Sequence, residues 1–171
     1  MSDPTALPNF PPPADEHPLR GRVLDALIDM ELNPDIDADG DVAFVVNEQQ
    51  LFVRCIEADL TVMRTFGQWQ IADPIPQDLT QQLAACNEVN LSMNLVKTGI
   101  ANNTLVVTTE HLVRPGEDVH GIANVSIQVV LAAVHLWHQR ILGLEPGAEG
   151  DGSTGEGDTA GADGAPKGGD Q

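Results

Sequence analysis

Apolar side chains recur at helical spacing in two segments of this chain. The first lies between Pro18 and Asn33, and its stripe has spacings of four and three residues: Leu19, Val23, Leu27 and Met30. The second runs over 78–91, and its predicted inner face carries Leu79, Leu83, Cys86 and Asn90. Such spacings place side chains on one side of an α-helix. We therefore predict a helix in each segment.

Five short runs between and after these helices are typical of β-strands. They are rich in β-branched and aromatic residues and are bounded by turn-forming residues: Val42–Val46, Leu51–Ile56, Leu60–Phe66, Leu95–Ala101 and Thr104–Val113. Asn102 and Asn103 separate the last two runs, and asparagine tolerates the positive φ of a tight hairpin turn. We therefore predict antiparallel strands, with a hairpin at this point.

A third helix is predicted over Ile122–Leu142, and it is apolar around most of its circumference. One sheet cannot cover all of that surface, and the commonest solution in soluble proteins is a two-fold homodimer. The predicted dimer or partner surface comprises Val129, Ala133, Leu136, Trp137 and Arg140. Polar residues interrupt the segment, which argues against a membrane span. The complete order, α-β-β-β-α-β-β-α over Leu19 to Leu142, predicts a small α+β binding module.

The two ends of the chain differ from this core in composition. Residues 1–18 contain six prolines and residues 143–171 are acidic and rich in glycine, so we predict a disordered arm and a disordered tail. The chain has 8 Lys and Arg against 26 Asp and Glu, a net charge of −18. That charge disfavours nucleic acid and anionic membranes as partners. The N-terminus lacks the pattern of a secretory signal, which predicts a cytoplasmic location.

An acidic cluster between the first helix and the first strand is the one candidate metal site. Asp35, Asp37, Asp39 and Asp41, with Gly40, match the first half of a calcium loop. The twelfth position is Val46, where such a loop requires a bidentate glutamate. We interpret the cluster as a turn without metal, and a calcium-responsive module stays open as an alternative.

No catalytic motif accompanies these elements, so we predict no enzyme and no cofactor. The spacing of His135 and His138 suits zinc, but no third ligand lies near them in sequence. Cys55 and Cys86 are predicted to be buried free thiols. A small-molecule enzyme is kept as a further alternative, and it would require a pocket that gathers three side chains: Glu110, His111 and His120.

Three short motifs carry a family resemblance. They are the turn at 37–41 before Phe44, the Gly67-Gln-Trp69 step, and the run from Cys86 to Asn90. With the order of elements, the pattern over 19–142 resembles the YbjN family, whose fold is similar to that of class I type III secretion chaperones. The resemblance implies a curved antiparallel sheet flanked by helices, homodimerisation, no cofactor, and a chaperone-like or regulatory role through protein contacts.

The resulting hypothesis is a non-enzymatic cytoplasmic protein that acts as a homodimer. Its partner would be a protein or peptide client that the sequence does not identify. A true secretion chaperone holds an extended stretch of its client, which requires pockets for side chains and groups for backbone pairing.

Overall fold

The computed structural model describes residues 18–144, which form three helices and six strands. The helices are α1 (Leu19–Asp29), α2 (Leu79–Ser92) and α3 (Val119–Ile141), and the strands are β1 (Asp35–Ile36), β2 (Val42–Val46), β3 (Gln49–Glu57), β4 (Thr61–Gln70), β5 (Val96–Ala101) and β6 (Thr104–Leu112). The disorder predicted for 1–18 and 143–171 concerns segments that lie almost entirely outside the described residues. It stays a prediction.

The strands form one antiparallel sheet in the order β1-β2-β3-β4-β6-β5. The predicted α+β order is confirmed, and the two-residue strand β1 is added at one edge. The hairpin at Asn102 and Asn103 is also confirmed, since their φ angles are 50° and 57° and Ala101 pairs with Thr104. Strand β4 continues to Gln70, four residues beyond the predicted end, because its pairing with β6 extends to Thr104.

All three helices cover the same face of the sheet. Side chains alternate along a strand, so every second residue faces the helices, and these inward residues are fully buried: Val42, Phe44, Leu51, Val53, Met63, Leu105 and Val107. α3 contacts both other helices and strands β4, β5 and β6. By length and composition α3 could also cross a membrane. Here eight of its residues are buried, so its apolar composition is that of a central core helix.

Polar side chains start each helix. Asp78 accepts a hydrogen bond from the Thr80 amide (3.1 Å) before α2, and Asp118 accepts one from the Gly121 amide (3.0 Å) before α3. α1 follows Pro18, which has no capping side chain. Instead the Glu57 carboxylate of β3 accepts a hydrogen bond from the Leu19 amide (3.0 Å). This carboxylate places negative charge at the positive end of α1.

The predicted face of α2 is only partly buried. Cys86 of that face is buried, but Leu79 and Leu83 are about half exposed, and the other buried residues are Gln82, Ala85 and Val89. The large indole of Trp137 on α3 is fully buried, and its Nε1 donates to the Gln82 carbonyl (3.4 Å). Small residues on α2 leave room for that ring, which favours this rotation of the helix over one that buries the leucines.

Candidate functional site

Among residues 18–144, no helix lies over one face of the sheet, and we call it the open face. The registers align its residues across the strands. The open face includes Ala43, Val45, Phe52, Arg54, Val62, Arg64, Phe66, Gln68, Lys97, Val106, Thr108 and Glu110. An antiparallel sheet commonly turns a polar face to water. Here half of the residues are apolar, which is unusual for a surface in contact with solvent alone.

A stacked aromatic pair lies near the middle of the open face. Phe52 on β3 and Phe66 on β4 are direct cross-strand partners, and their ring centroids are 5.3 Å apart at 22°. The guanidinium of Arg54 lies 5.7 Å from the centroid of the Phe66 ring. Aromatic stacking and a cation over a ring both stabilise this arrangement. Both rings are only partly buried, so they offer apolar area to a partner.

Arg54 is held in place by a carboxylate from the neighbouring strand. Its Nε and Nη2 donate to the two Asp41 oxygens at 2.8 and 2.6 Å. Asp41 is 4% exposed, whereas 43% of the Arg54 side chain is exposed. The hydrogen bond to Asp41 is the main reason that the pKa of Arg54 is raised. The geometry fixes a cation at the surface with its anion buried beneath it.

A second ionic group lies on the same face. Glu110 bridges two cations, because its Oε1 accepts from Arg64 (2.7 Å to Nε) and its Oε2 accepts from Lys97. Hydrogen bonds from Lys97 and then Arg64 lower the pKa of Glu110. Two cations share one anion, so the group keeps a charge of +1.

These groups surround a shallow depression of about 390 Å³. Phe66 and Val106 supply its apolar part, and its three cations are Arg54, Arg64 and Lys97. Such a surface can hold an extended segment that carries apolar and acidic side chains. Only the six-stranded register reveals which residues share the open face.

Three of the four aspartates of the calcium candidate already use their carboxylates in hydrogen bonds or an ion pair. Asp37 Oδ1 accepts from the amides of Asp39 and Asp41, both at 2.9 Å, while Asp35 accepts from the Ile36 amide (2.8 Å). Asp41 pairs with Arg54. Among residues 18–144, no group of three or more His, Cys, Asp or Glu side chains could hold a metal ion. The hydrogen bonds are those of a tight turn, and calcium binding by this loop stays an untested alternative.

The predicted dimer or partner surface on α3 is divided between core and surface. Ala133 and Trp137 lie in the core, at 0% and 1% exposed, so they cannot contact a partner. Their side of the helix faces the sheet and α2. Val129 and Leu136 are half-buried, and Arg140 is exposed with a loose salt bridge to Glu88 (3.5 Å). The outward stripe of α3 is instead Val125, Val129, Ala132 and Leu136, and we call it the α3 surface.

A larger apolar surface on and beside α2 escaped the sequence analysis. It comprises Leu79 (53% exposed), Leu83 (47%), Leu91 (80%) and Leu95 (62%), and we call it the α2 surface. The leucine spacing signalled a helix correctly. When one side of a helix carries leucines and another carries small residues such as Ala85, periodicity alone cannot show which of the two sides is buried in the core.

The side chains of the enzyme alternative are not gathered. Glu110 faces outward, and His111, the next residue on β6, points to the opposite side of the sheet. His120 is exposed at the start of α3. His135 and His138 bond locally, to Gln139 and to the Val134 carbonyl.

Both cysteines are free, as predicted. Cys86 is buried, whereas Cys55 is only half-buried. Burial, and next Glu57, raises the pKa of Cys55 to about 12. Burial likewise raises the pKa of Cys86. Both groups are therefore protonated at neutral pH, which leaves them without nucleophilic character.

The fold is similar to that of several solved structures at low sequence identity. A chain of the HopA1–SchA chaperone–effector complex superposes with a TM-score of 0.53 and 16% identity, over 71% of this chain and 94% of that one. YbjN from E. coli gives 0.48 and 12% over 70% and 89%. The Yersinia pestis type III secretion chaperone SycH, in complex with a fragment of YscM2, gives 0.49 and 14% over 69% and 98%.

No protein-family model and no curated protein matches the chain. At these identities the structural likeness establishes the fold alone. The match to the HopA1–SchA complex confirms the predicted chaperone-like α+β architecture, and it covers nearly all of the matched chain.

Proposed function

We propose that this chain is a protein-binding module that holds a segment of another protein on its open face, in a chaperone-like or regulatory role. The observation that carries the proposal is the stacked pair Phe52 and Phe66, partly buried on a sheet face that no helix of residues 18–144 covers and flanked by Arg54. Aromatic and arginine side chains are the residue types that contribute most at protein interfaces.

The geometry supports a binding role more than a catalytic one. The cations of the open face are fixed by carboxylates, and the depression is shallow and wide. Such a surface provides contact area and charge, whereas catalysis requires a group poised to exchange a proton or attack a substrate. The chaperone–effector complex that shares the fold is consistent with a protein partner.

Binding to an unfolded protein tests this proposal. The probe is reduced, carboxymethylated lactalbumin carrying a fluorescent dye, titrated with the full chain and followed by anisotropy. The variant Phe52→Thr/Phe66→Thr keeps strand propensity but removes both rings. We expect its binding to weaken about tenfold, which corresponds to about 1.4 kcal/mol of lost contact.

The matched control is Ile28→Thr on α1, which is 58% exposed on the helix side. It should bind the probe as the parent does. Circular dichroism establishes that both variants are folded. Equal binding by the parent and the double Phe variant would rule out the open face as the binding site.

Homodimerisation is part of the same proposal. Two exposed apolar surfaces are available for it: the α3 surface, which keeps Val129, Leu136 and the adjacent Arg140 from the sequence prediction, and the α2 surface. Burying such area against a second copy removes it from water. The α2 surface is the more exposed of the two, which favours it as the contact.

Light scattering on Leu91→Glu and Leu136→Glu separates these surfaces, because a charge buried in an apolar interface prevents association. We expect Leu91→Glu to be monomeric. The control Gln128→Glu, at an exposed position of α3, should keep the mass of the parent. A monomeric parent at micromolar concentration would exclude the homodimer.

A further inference from the structure

The depression on the open face carries a net positive charge in a strongly acidic protein. Seven of the eight Lys and Arg residues lie within 18–144, and three of them line the depression on the open face. Two carboxylates, Asp41 and Glu110, pair with these three cations, which leaves +1. The whole chain carries −18. An acidic segment is therefore the complementary partner for this face.

The chain itself contains such a segment. Residues 145–171 hold seven Asp and Glu against one Lys, a net charge of −6 in 27 residues, and nine of the 27 are glycine. Residues 1–17 carry only −3 and include five prolines, which fix φ and remove backbone donors. Charge complementarity therefore favours the C-terminal segment over the N-terminal one.

We propose that residues 145–171 occupy the open face of their own chain and compete there with a protein partner. The competition with a protein partner rests on the proposed function. The contact between residues 145–171 and the open face does not depend on it. An extended segment rich in glycine can follow a sheet surface closely, and its carboxylates can reach the cations from several positions. The C-terminal segment would thus act as an internal competitor that a more apolar partner displaces.

The cations have donors left for additional carboxylates. Arg54 uses Nε and Nη2 on Asp41, and a guanidinium has five N–H groups. Lys97 is 64% exposed and donates to Glu110, which leaves further N–H donors on its ammonium group. An incoming carboxylate therefore gains charge-assisted hydrogen bonds without breaking those already present.

The length of the segment suits this contact. A glycine-rich chain of 27 residues has a root-mean-square span of roughly 29 Å, and the ten-residue strand β4 is about 33 Å long. The span of the segment is therefore comparable with the length of the open face. A tether of this kind gives an effective concentration of about millimolar, which compensates for the weakness of exposed ion pairs.

Paramagnetic relaxation in the full-length chain tests the contact. The variant Ser153→Cys introduces an accessible thiol for a nitroxide label, while Cys55 (pKa about 12) and buried Cys86 react slowly. We expect the amide signals of Gln68, Val106 and Thr108 to broaden. They should recover in 1 M NaCl, where the Debye length is about 3 Å.

Two charge variants provide the controls. In the first, the open face loses two cations through Arg64→Gln and Lys97→Gln. In the second, all acidic residues of the segment are neutralised: Glu145→Gln, Glu149→Gln, Asp151→Asn, Glu156→Gln, Asp158→Asn, Asp163→Asn and Asp170→Asn. Broadening should disappear in both. Three results would overturn the contact. They are no broadening in the parent, broadening on the helices, and broadening that persists in either variant.

The unfolded lactalbumin probe separates this proposal from the proposed function. The neutralised segment should allow the probe to bind roughly two- to threefold more tightly, because a competitor at millimolar effective concentration is lost. If relaxation shows no contact while the Phe52→Thr/Phe66→Thr variant still binds the probe weakly, the segment proposal fails and the function stands. Suppose instead that relaxation shows the contact, but neither the neutralised segment nor the Phe52→Thr/Phe66→Thr variant changes probe binding. Competition and the proposed function then both fail.

Discussion

The side-chain amide of Asn90 on α2 bonds to both backbone groups of Thr98 on β5, as a neighbouring strand would. Its Oδ1 accepts from the Thr98 amide at 2.8 Å, and its Nδ2 donates to the Thr98 carbonyl at 3.2 Å. β5 is an edge strand. In a two-residue hairpin the residues that flank the turn bond to each other, so the polar groups of Thr98 point away from β6. Asn90 therefore closes part of an otherwise free edge.

Replacing Asn90 should open that edge. We expect Asn90→Ala to lower the free energy of unfolding by about 1–2 kcal/mol, since two hydrogen bonds are lost. Exposed edge groups also template pairing with other chains, so the variant should aggregate faster on heating. Urea denaturation and turbidity measure the two effects. Asn87→Ala, at an exposed position on the same helix, should leave both unchanged; equal effects of the two variants would contradict a role for the Thr98 contact.

Trp69 lies directly over Gly67, two residues earlier on the same face of β4. A methyl group added at Gly67 would overlap the indole ring and approach a Leu51 methyl at 2.8 Å. Leu51 is fully buried, and the Trp69 indole Nε1 donates to Gln49 (3.2 Å). Neither can move freely. We expect Gly67→Ala to destabilise the protein by about 1–3 kcal/mol, measured as a shift of the urea midpoint.

Gly99 provides the matched control in the same sheet. It lies on β5, and nothing within 4 Å would meet an added methyl group. Gly99→Ala should be neutral or slightly stabilising, because alanine restricts the unfolded chain more than glycine does. A comparable loss from both substitutions would show that the cost does not arise from the Trp69 contact.

The fold was predictable from sequence because strong local signals determine it. Asn102 and Asn103 identify a hairpin by turn chemistry alone. The apolar stripe of α1 shows which side of that helix faces the core. The small strand β1 was not predictable, since two residues carry no periodicity. Its pairing depends on the turn that Asp37 organises through its own side chain.

The candidate site was less predictable than the fold. Phe52 and Phe66 are 14 residues apart, and only the register of β3 against β4 brings their rings together. The Glu110 bridge joins strands that are 46 residues apart in sequence, Arg64 to Glu110. On α2 and α3 the orientation depends on how Trp137 fits between the helices, which hydrophobic pattern alone does not encode. Tertiary packing decided each of these features.

Glu110 should make stability depend on pH in the acid range. Its pKa is lowered in the folded protein below the ordinary value of 4.5 by Lys97 and Arg64. A lowered pKa means that stabilisation is present above the unfolded pKa and is lost as pH falls through the folded pKa. Glu110→Gln should therefore reduce stability at pH 7 by roughly 0.2–1 kcal/mol and have less effect near pH 3.

Chemical denaturation at the two pH values tests this prediction. Glu88→Gln is the control, because Glu88 makes only a 3.5 Å contact with Arg140 and is 56% exposed. That substitution should change stability little at either pH. An effect of Glu110→Gln that is as large at pH 3 as at pH 7 would mean that the ionic bridge does not contribute.

Thr65 on β4 and Thr109 on β6 are cross-strand partners whose hydroxyl groups are buried in the core. Both residues are 0% exposed, and within residues 18–144 neither hydroxyl has a hydrogen-bond partner. A buried polar group without a partner costs free energy, whereas an apolar group of the same shape does not. We expect the double variant Thr65→Val/Thr109→Val to raise the free energy of unfolding by about 1–3 kcal/mol, seen as a higher urea midpoint with an unchanged slope.

Thr108→Val is the control for this substitution, since Thr108 is only half-buried on the open face and its hydroxyl makes a long hydrogen bond to the Thr109 carbonyl (3.5 Å). It should alter stability by less than about 0.5 kcal/mol. A net loss of stability in the double variant would show that the two hydroxyls are satisfied in solution, which an internal water can achieve.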